Sequence, residues 1–438
     1  MSKLMTAVPA WVLACLPVRW ARPLAAVCGT DAPSTAALET AAPCTRQLLV
    51  DVSVIHRQDA RTGIQRVVRS LLLQLLQSPP LGYEVRPIFA TKKMAYHYAY
   101  TDFLTHSNAE MLAQPTAQRI SVQAGDVFLG LDLAAHVLPR HGAQILGWKR
   151  AGVKVHVLVY DFLPLLHPEW FNARTVRHFK SWTKWLATYA DSAVCISETV
   201  RADLADCLHK RFSLPFTALP SSRISLGADI DTSVPSRGIP AEATFTLARM
   251  RNTPSLLMVG TLEPRKGHDQ VLAAFDELQR GHASASTATP PLLVIVGRPG
   301  WKTEALQQRI RTHAQAGKQV IWFEEASDEL LVALYSACTA VVVASRGEGF
   351  GLPLIEAALY GKPIIARDLP AFREHNIPDV DYFHGDSPAA LVHAIESRLR
   401  KKRLSKQAPI VAPTWEASAA ELKNSLSLPA SPVQRLAA

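Results

Sequence analysis

An unbroken β-branched run followed at once by a glycine-rich loop is the feature that most restricts how this chain can fold. Residues 340–345 read Ala-Val-Val-Val-Ala-Ser, which is typical of a strand buried on both faces of a parallel sheet. The loop after this run contains several glycines, and Pro353 lies where the next helix should begin. A second apolar run, 363–366, then begins another strand. The sequence therefore predicts a strand–loop–helix–strand unit of an α/β fold.

The same stretch contains two glutamates, Glu348 in the loop and Glu356 on the predicted helix. Gly349 and Gly351 allow backbone amides to approach a ligand, and amides at a helix N-terminus favour negative charge. The glycine spacing matches neither the dinucleotide fingerprint nor a P-loop. Either glutamate alone is more commonly a solvated surface residue. Together they indicate a site that holds a polar, hydroxyl-rich ligand from two sides.

A basic turn lies earlier in the chain, at residues 260–267, directly after the apolar run 256–259. Its neighbouring cations, Arg265 and Lys266, suit a diphosphate, because the guanidinium fork and the ammonium point charge would neutralise different oxygens. The alternative is a basic surface turn. The carboxyl ends of parallel strands form the edge at which such sheets bind ligands. Residues just past predicted strands are Gly260, Gly297, Phe323 and Glu348.

The N-terminal half shows the same alternation of strands and helices. Strands are predicted at 47–53, 84–90, 127–131, 153–160 and 192–196. Gly63 opens a helix after the first strand, where it either admits a phosphate or sugar or is a plain turn glycine. Asp161 follows the fourth strand, where it either orients an acceptor or caps the next turn.

These motifs resemble those of the GT-B-fold glycosyltransferases of family 4. The match runs from Glu348-Gly349-Phe350-Gly351-Leu352-Pro353 to Glu356-Ala357, with seven residues between the two glutamates. The Pro-Arg-Lys-Gly turn at 264–267 is similar to the turn that holds the donor pyrophosphate in that family, and it precedes the glutamate motif in the same order. The resemblance covers about residues 47–425 and is strongest from 256 to 374. Many members of this family, mannosyltransferases among them, synthesise glycans.

The resemblance implies an α/β GT-B fold of two doubly wound, Rossmann-like parallel-sheet domains with the site in the interdomain cleft. The activity that it implies is retaining transfer of a hexose from a nucleoside diphosphate sugar to a glycan hydroxyl. Arg265 and Lys266 would stabilise the departing diphosphate, and Glu348 would bind sugar hydroxyls. Glu356 would hydrogen-bond the ribose. The other implied donor-binding positions are Gly63, Gly260, Phe323, Gly349, Phe350, Gly351 and Leu352.

One departure from the family pattern lies in the N-terminal half. Tyr160 stands where the family usually has a histidine, so a histidine contact to the primary hydroxyl of the sugar is not expected. Asp161 remains the acceptor-side catalytic candidate.

The predicted organisation has five parts. Residues 1–45 contain an apolar run that imitates a signal peptide, but Pro9 and Pro17 interrupt it, and Arg19 and Arg22 lie where a cleavage region should be neutral. We therefore expect a disordered leader or one that does not belong to the protein. The remaining parts are the acceptor-side domain (46–227), a linker (228–246), the nucleotide-sugar domain (247–408), and a return helix with a tail (409–438).

Composition restricts the partners. The net charge of +10 and the pI of about 9.4 indicate an anionic partner such as a nucleotide, a phospholipid or a nucleic acid. Of these, the resemblance implies a nucleotide sugar and no nucleic acid. The acceptor would be a glycan or a lipid-linked glycan. The six cysteines show no pairing or metal spacing, so a cytoplasmic protein is expected. A peripheral contact with the inner face of an anionic membrane is the minority alternative.

No metal or other cofactor is expected. Glycosyltransferases of the other major fold hold a metal with an Asp-x-Asp pair directly after a hydrophobic strand. The two such pairs here, 229 with 231 and 379 with 381, lack that setting. Two rival functions stay open, a GT-B sugar-nucleotide epimerase and a catalytically inactive GT-B scaffold subunit.

Overall fold

The computed structural model describes residues 8–27, 45–59, 62–99, 118–230, 238–284, 291–401 and 412–429. The chain divides into two compact units. Unit 1 is bounded by Met1–Leu166, Ala173–Leu226 and Trp415–Ala438, and unit 2 by His167–Asn172 and Gly227–Thr414. The short segment His167–Asn172 thus groups with unit 2, although it lies within the predicted acceptor-side domain.

Unit 1 is built on a seven-stranded sheet. Its strands are β1 (Arg46–Asp51), β2 (Tyr83–Phe89), β3 (His97–Tyr98), β4 (Val127–Gly130), β5 (Lys154–Val159), β6 (Ser192–Cys195) and β7 (Ser221–Arg223). The helices of unit 1 that precede residue 227 in the sequence are α1 (Ala10–Cys15), α2 (Val18–Val27), α3 (Gly63–Gln77), α4 (Gly142–Arg150), α5 (Leu163–Leu166), α6 (Ala173–Tyr189) and α7 (Glu198–Phe212).

The strand order of this sheet is β3-β2-β1-β4-β5-β6-β7. All neighbours pair in parallel except β2 and β3. The order reverses between β1 and β4, and such a switch point is where open α/β sheets bind ligands at the carboxyl ends of their strands. The five strands predicted for this half are confirmed. The sequence analysis missed β3 and β7, which are too short to show a hydrophobic period.

Unit 2 contains a six-stranded, wholly parallel sheet with the order β10-β9-β8-β11-β12-β13. Its elements are α8 (Ala243–Asn252), β8 (Ser255–Val259), α9 (His268–Ser284), β9 (Leu292–Val296), α10 (Glu304–Arg311), β10 (Val320–Phe323), α11 (Asp328–Ala337), β11 (Ala340–Val343), α12 (Leu352–Leu359), β12 (Ile364–Arg367), α13 (Pro370–Arg373), β13 (Val380–Phe383) and α14 (Pro388–Arg400).

The middle of this second sheet is the part that the sequence predicted best. Every residue of β9 and β11 is buried, as expected for strands covered on both faces. Helix α9 packs Val271, Leu272 and Phe275 into the same core. Ser197 and Ser327 cap α7 and α11, and each side chain accepts from a backbone amide three residues on. The sequence analysis missed β13 and α14.

The expectation of a disordered leader is wrong for the described residues 8–27. Helices α1 and α2 pack against α4 and α6 and bury Leu13 and Ala21. Arg22 anchors α2, because its guanidinium donates to the carbonyls of Ala187, Ala190 and Ala218 at 2.9–3.1 Å. The prolines do not prevent this: Pro9 precedes α1, and Pro17 separates α1 from α2. Residues 1–7 and 28–44 lie outside the described residues.

The final helix, α15 (Trp415–Ser425), belongs to unit 1. It packs on α3, and Trp415 and Leu422 are buried. Lys423 Nζ donates to the Ser78 carbonyl at the end of α3. Part of the predicted linker is helical, since α8 begins at Ala243, while residues 231–237 lie outside the description. None of the helices in the described part of the chain combines the length and apolar character needed to cross a bilayer.

Candidate active site

The basic turn of unit 2 is held against the end of β11 by a close backbone approach. Residues Pro264–Lys266 form one 3-10 turn, which ends at Gly267 in the left-handed region (φ 77°). A Cβ on Gly267 would lie 2.4 Å from the Ala344 carbonyl oxygen, so only glycine fits. The Arg346 amide donates to the Arg265 carbonyl at 2.6 Å. The turn and the glutamate loop are therefore joined through their backbones.

This approach places Glu348 between the two cations of the turn. Lys266 Nζ donates to Glu348 Oε1 at 2.5 Å, and Arg265 Nη1 donates to Oε2 at 2.9 Å. Ser345 Oγ also donates to Oε1, at 2.8 Å. Arg265 Nε donates to Glu263 at 2.8 Å. The side chains of Glu348 and Lys266 are 8% and 12% exposed, so this is a desolvated ion cluster and not the basic surface turn of the alternative interpretation.

The charge state of Glu348 follows from these contacts. Burial by itself would raise the pKa of its carboxyl group, but Lys266 and Arg265 outweigh burial and, with hydrogen bonds from Lys266 and Ser345, lower the pKa to about 2. Glu348 is therefore ionised throughout the physiological range. His268, which follows the turn, is 1% exposed. Burial and then the charge of Lys266 lower the pKa of His268 to about 3, so its imidazole is neutral.

A second set of ion pairs supports the turn, and the sequence analysis did not single it out. Arg346 makes a two-pronged contact with Asp269, at 2.9 and 3.0 Å, and donates to the Pro264 carbonyl at 2.7 Å. Its Nε donates to Asp386 at 3.0 Å. The sequence signal that could have identified Arg346 is its position between the buried strand and the first glycine of the motif. Its role is to fix the turn, because it touches the backbone and acid residues on either side.

The neighbouring strand ends complete this edge of the sheet. The Gly260 amide donates to the Val296 carbonyl at 2.8 Å, and the Gly297 amide donates to the Phe323 carbonyl at 3.0 Å. The structure thus brings Gly260, Gly297 and Phe323 together at the carboxyl ends of β8, β9 and β10, where Phe323 is the last residue of its strand.

Helix α12 carries the rest of the glutamate motif. Gly351 is its N-cap at φ 96°, and a Cβ there would lie 2.5 Å from the Phe372 ring. Packing against Phe372 therefore requires glycine at this position whether or not a ligand binds. Phe350 is 7% exposed and meets the ring of His375 edge-on at 4.6 Å, whereas Leu352 is half-buried.

Glu356 lies inside the unit. It is 2% exposed, and its Oε2 accepts from the Tyr335 hydroxyl at 2.7 Å. The Tyr335 ring is itself stacked on Tyr360, with centroids 5.4 Å apart. The sequence analysis missed Tyr335, which lies on α11, because no sequence pattern links α11 to α12.

The two predicted site residues of the N-terminal half belong to unit 1. Gly63 is exposed at the first position of α3, where Thr62 and Gln65 form a capping box. Asp161 Oδ1 accepts from the Leu163 amide at 3.0 Å, so it caps the turn after β5. Tyr160, at the position of departure from the family, is 2% exposed and donates to the Leu131 carbonyl.

The two aspartate pairs differ in what the structure describes. Asp379 and Asp381 both accept from the buried guanidinium of Arg398, and Lys401 also pairs with Asp381. These carboxylates are therefore neutralised by protein cations. Of the other pair, Asp231 lies outside the described residues.

Residues 242–410 match the family model described as "Glycosyl transferases group 1". The serotype-specific mannosyltransferase WbdA of Escherichia coli is 41% identical over 357 residues, which cover 81% of this chain and 43% of WbdA. Residues 242–410 of the chain belong to the group 1 glycosyltransferases. The O-antigen chain mannosyltransferase B of Escherichia coli is 26% identical over 210 residues, covering 47% of this chain and 51% of that protein. The chain spans only 43%, 41% and 43% of the length of three WbdA proteins that it matches.

Solved GT-B structures agree in fold. HepE from Anabaena, in complex with UDP and glucose, has a TM-score of 0.52 at 14% identity, over 87% of this chain and 95% of HepE. The sucrose-phosphate synthase from Thermosynechococcus elongatus has a TM-score of 0.54 at 19% identity, over 87% and 94%. The segment matched by the family model contains the basic turn, His268 and both glutamates, so the ion cluster lies in the part of the chain that carries the family match.

The ion cluster predicts a pH-dependent loss of stability in Glu348→Gln. The variant leaves two buried cations without their carboxylate, so its free energy of unfolding at neutral pH should fall by roughly 3 kcal/mol. The pKa of the folded carboxyl lies below its ordinary value of 4.5, so this stabilisation is complete above pH 4.5 and is lost as the pH falls towards about 2. Denaturant unfolding over a pH series should show the gap to wild type narrowing below pH 4.5.

The matched control is Glu325→Gln, which removes an exposed partner of Arg298 in the same unit. Its unfolding free energy should change by less than about 1 kcal/mol at every pH. A Glu348→Gln protein as stable as this control would contradict the buried cluster.

Proposed function

We propose that the protein is a retaining glycosyltransferase that moves a hexose from a nucleoside diphosphate sugar to a hydroxyl of a growing glycan in cell-surface polysaccharide synthesis. The observation that carries the proposal is the buried Arg265–Glu348–Lys266 cluster at the carboxyl edge of the unit 2 sheet. The names of WbdA and of O-antigen chain mannosyltransferase B favour mannose as the hexose and an O-antigen-type glycan, free or lipid-linked, as the acceptor.

In this mechanism the cations act on the leaving group. Charge develops on the diphosphate as the glycosidic bond breaks, and donors already in position stabilise that charge without reorganisation. An ammonium has three N–H donors, and Lys266 uses one on Glu348. Its other two can reach diphosphate oxygens, while Glu348 holds both cations in place.

Glu348 can also contact the sugar. A carboxylate accepts about four hydrogen bonds. Its Oε1 already accepts from Lys266 and Ser345, and its Oε2 accepts from Arg265. A hydroxyl of the hexose would take the remaining position on Oε2. Asp161 and Gly63 remain the proposed contributions of unit 1 to the acceptor and the diphosphate.

The proposed reaction requires no metal and no cofactor besides the sugar nucleotide. Arg265, Lys266 and the N-terminus of α12 supply the positive charge that a metal would otherwise bring to the diphosphate. The two rivals are less favoured. The relatives named above are transferases and not epimerases, and an inactive scaffold would have no need of a desolvated ion cluster, whose assembly costs free energy.

The test is a transfer assay with labelled nucleoside diphosphate mannose and a mannan acceptor, run in the presence of a chelator. We expect label to reach the acceptor at the same rate with and without the chelator. Lys266→Ala should reduce this rate by at least about a hundredfold, as expected for the loss of one group that stabilises charge in the transition state. The control is Lys318→Ala, which removes an exposed lysine of the same unit. Conversion of the donor without acceptor would indicate an epimerase. Activity that chelation abolishes and a divalent metal restores would contradict the mechanism.

The role of Glu356 yields a separate prediction. Glu356→Ala removes the acceptor of a buried hydroxyl, so it should lower stability by about 1–3 kcal/mol and, if the carboxylate also binds ribose, raise the KM for donor with less effect on kcat. Tyr335→Phe removes the same hydrogen bond but keeps the carboxylate. It should leave the KM for donor near that of wild type. Equal donor KM values in the two variants would rule out the ribose assignment.

We further propose a peripheral contact with anionic membranes through α1 and α2. Trp11 and Trp20 on these helices are 71% and 61% exposed, among the most exposed large apolar side chains of the described residues. Residues 1–30 contain no acidic side chain and include Lys3 and Arg19. Exposed tryptophans beside cations suit the headgroup region of an anionic bilayer.

Sedimentation with vesicles of anionic phospholipid tests this contact. The double change Trp11→Ser and Trp20→Ser should lower the bound fraction several-fold, as expected when the interfacial anchors are removed. Phe245→Ser, which changes a side chain 70% exposed on unit 2, is the control and should bind like wild type. A wild-type protein that stays in the supernatant, or equal losses in both variants, would refute the proposal.

A further inference from the structure

A group of cations gathers on the loops that follow four adjacent strands of unit 1. Arg57 follows β1, Lys92 follows β2, and Arg140 follows β4. Arg174 lies in the first turn of α6, the helix that follows β5 and the short α5. The order of these strands in the sheet is β2-β1-β4-β5, and the carboxyl ends of parallel strands lie at one edge. The four cations, here called the unit 1 cation cluster, therefore share the ligand-binding edge of this sheet and its switch point.

Contacts between the loops bring the cluster together. His56, next to Arg57, stacks on Phe89 at the end of β2, with ring centroids 4.0 Å apart. The ring of His141, next to Arg140, lies 2.7 Å from the carbonyl of Thr91, the neighbour of Lys92. These two contacts connect the loops that carry Arg57, Lys92 and Arg140.

A histidine pair joins the fourth cation to the others. The ring of His136, one turn before Arg140, lies 6.2 Å from the ring of His178, one helical turn after Arg174. The positive charges of Arg174, Arg140 and Arg57 lower the pKa of Lys92, and the charge of Arg174 has the largest effect. Burial and the neighbouring cations also lower the pKa values of His136 and His178. The imidazoles are therefore neutral and able to donate or accept.

The cluster lacks internal compensation. Within the described part of the chain, no carboxylate forms an ion pair with Arg57, Lys92, Arg140 or Arg174. The nearby acids are engaged elsewhere: Asp59 pairs with Arg69, and Asp132 accepts from the amides of Val54 and Ile55. Four like charges held on neighbouring loops repel one another and raise the local affinity for anions.

We propose that the unit 1 cation cluster binds the phosphate or diphosphate group of the acceptor. The guanidinium forks of Arg57, Arg140 and Arg174 match the tetrahedral oxygens of a phosphate, and Lys92 adds a point charge. The neutral rings of His136 and His178 supply further donors. Anchoring the acceptor by an anionic group suits a lipid-linked glycan in which phosphate joins the lipid to the sugar.

The choice of acceptor rather than donor rests on the proposed function. The cations assigned to the donor diphosphate, Arg265 and Lys266, lie in unit 2 and are neutralised by Glu348 and Glu263. Among the residues that the structure describes, no carboxylate pairs with the unit 1 cation cluster, which belongs to the unit outside the group 1 match. One protein with two such sites can hold two phosphorylated substrates.

Binding of inorganic pyrophosphate to the full chain tests the site without requiring any transfer. Calorimetry in a Lys266→Ala background keeps the unit 2 cations from dominating the signal. In that background Arg174→Gln and Lys92→Gln should each weaken pyrophosphate binding by about tenfold, the size expected for one charge-assisted contact. Lys180→Gln, which removes an exposed lysine from the same helix as Arg174, should have little effect. Affinities unchanged in both test variants, or equally reduced in the control, would overturn the site.

Kinetics with the otherwise unaltered enzyme then assign the source of the phosphate. With an acceptor carrying a diphosphate, Arg174→Gln should raise the KM for acceptor about tenfold and leave the KM for donor unchanged. With a dephosphorylated acceptor the variant and the wild type should have equal KM values. A rise confined to the donor KM would overturn the assignment to the acceptor. A protein that binds pyrophosphate through the cluster but transfers no sugar would refute the proposed function and leave the anion site established.

Discussion

The edge of unit 2 depends on one carboxylate, Glu348. Two neighbouring cations in a tight turn repel each other, and burying both without a partner would cost several kcal/mol each. Glu348 accepts from both, and Ser345 supplies a third hydrogen bond. The turn and the carboxylate come from loops that follow β8 and β11, which are adjacent in the sheet. The ion cluster therefore depends on the order of the strands as much as on its own residues.

The supports around this cluster make it rigid. The backbone amide of Arg346 joins the glutamate loop to the basic turn, and the Arg346 side chain forms ion pairs with Asp269 and Asp386. Gly267 permits the close approach because any side chain would strike the Ala344 carbonyl. Groups fixed in this way need not reorganise when charge develops on a leaving group, which is the condition for electrostatic stabilisation of a transition state.

The two units treat positive charge in opposite ways. In unit 2 the cations are buried and paired, and the pKa of Glu348 is lowered accordingly. In unit 1 the cations are more exposed, and their mutual repulsion lowers the pKa of Lys92. A paired cluster exerts a short-range, directional influence, whereas an unpaired cluster attracts anions over the range allowed by ionic screening. The two groups of cations are therefore suited to different physical tasks.

The sequence by itself determined the elements and motifs that depend on local patterns. Buried parallel strands such as β9 and β11 are continuous apolar runs in the sequence. The position of Arg265 and Lys266 in a turn after such a run can also be read from the local sequence alone. Tertiary structure decided which groups meet. It brings the Tyr335 hydroxyl to the carboxylate of Glu356 and places Glu348 between Arg265 and Lys266. It also fixes α2 through Arg22, which donates to carbonyls more than 160 residues away. Periodicity records how a residue relates to its own helix or strand, while the partner of a buried charge is set by strands and helices that are distant in sequence and adjacent in space.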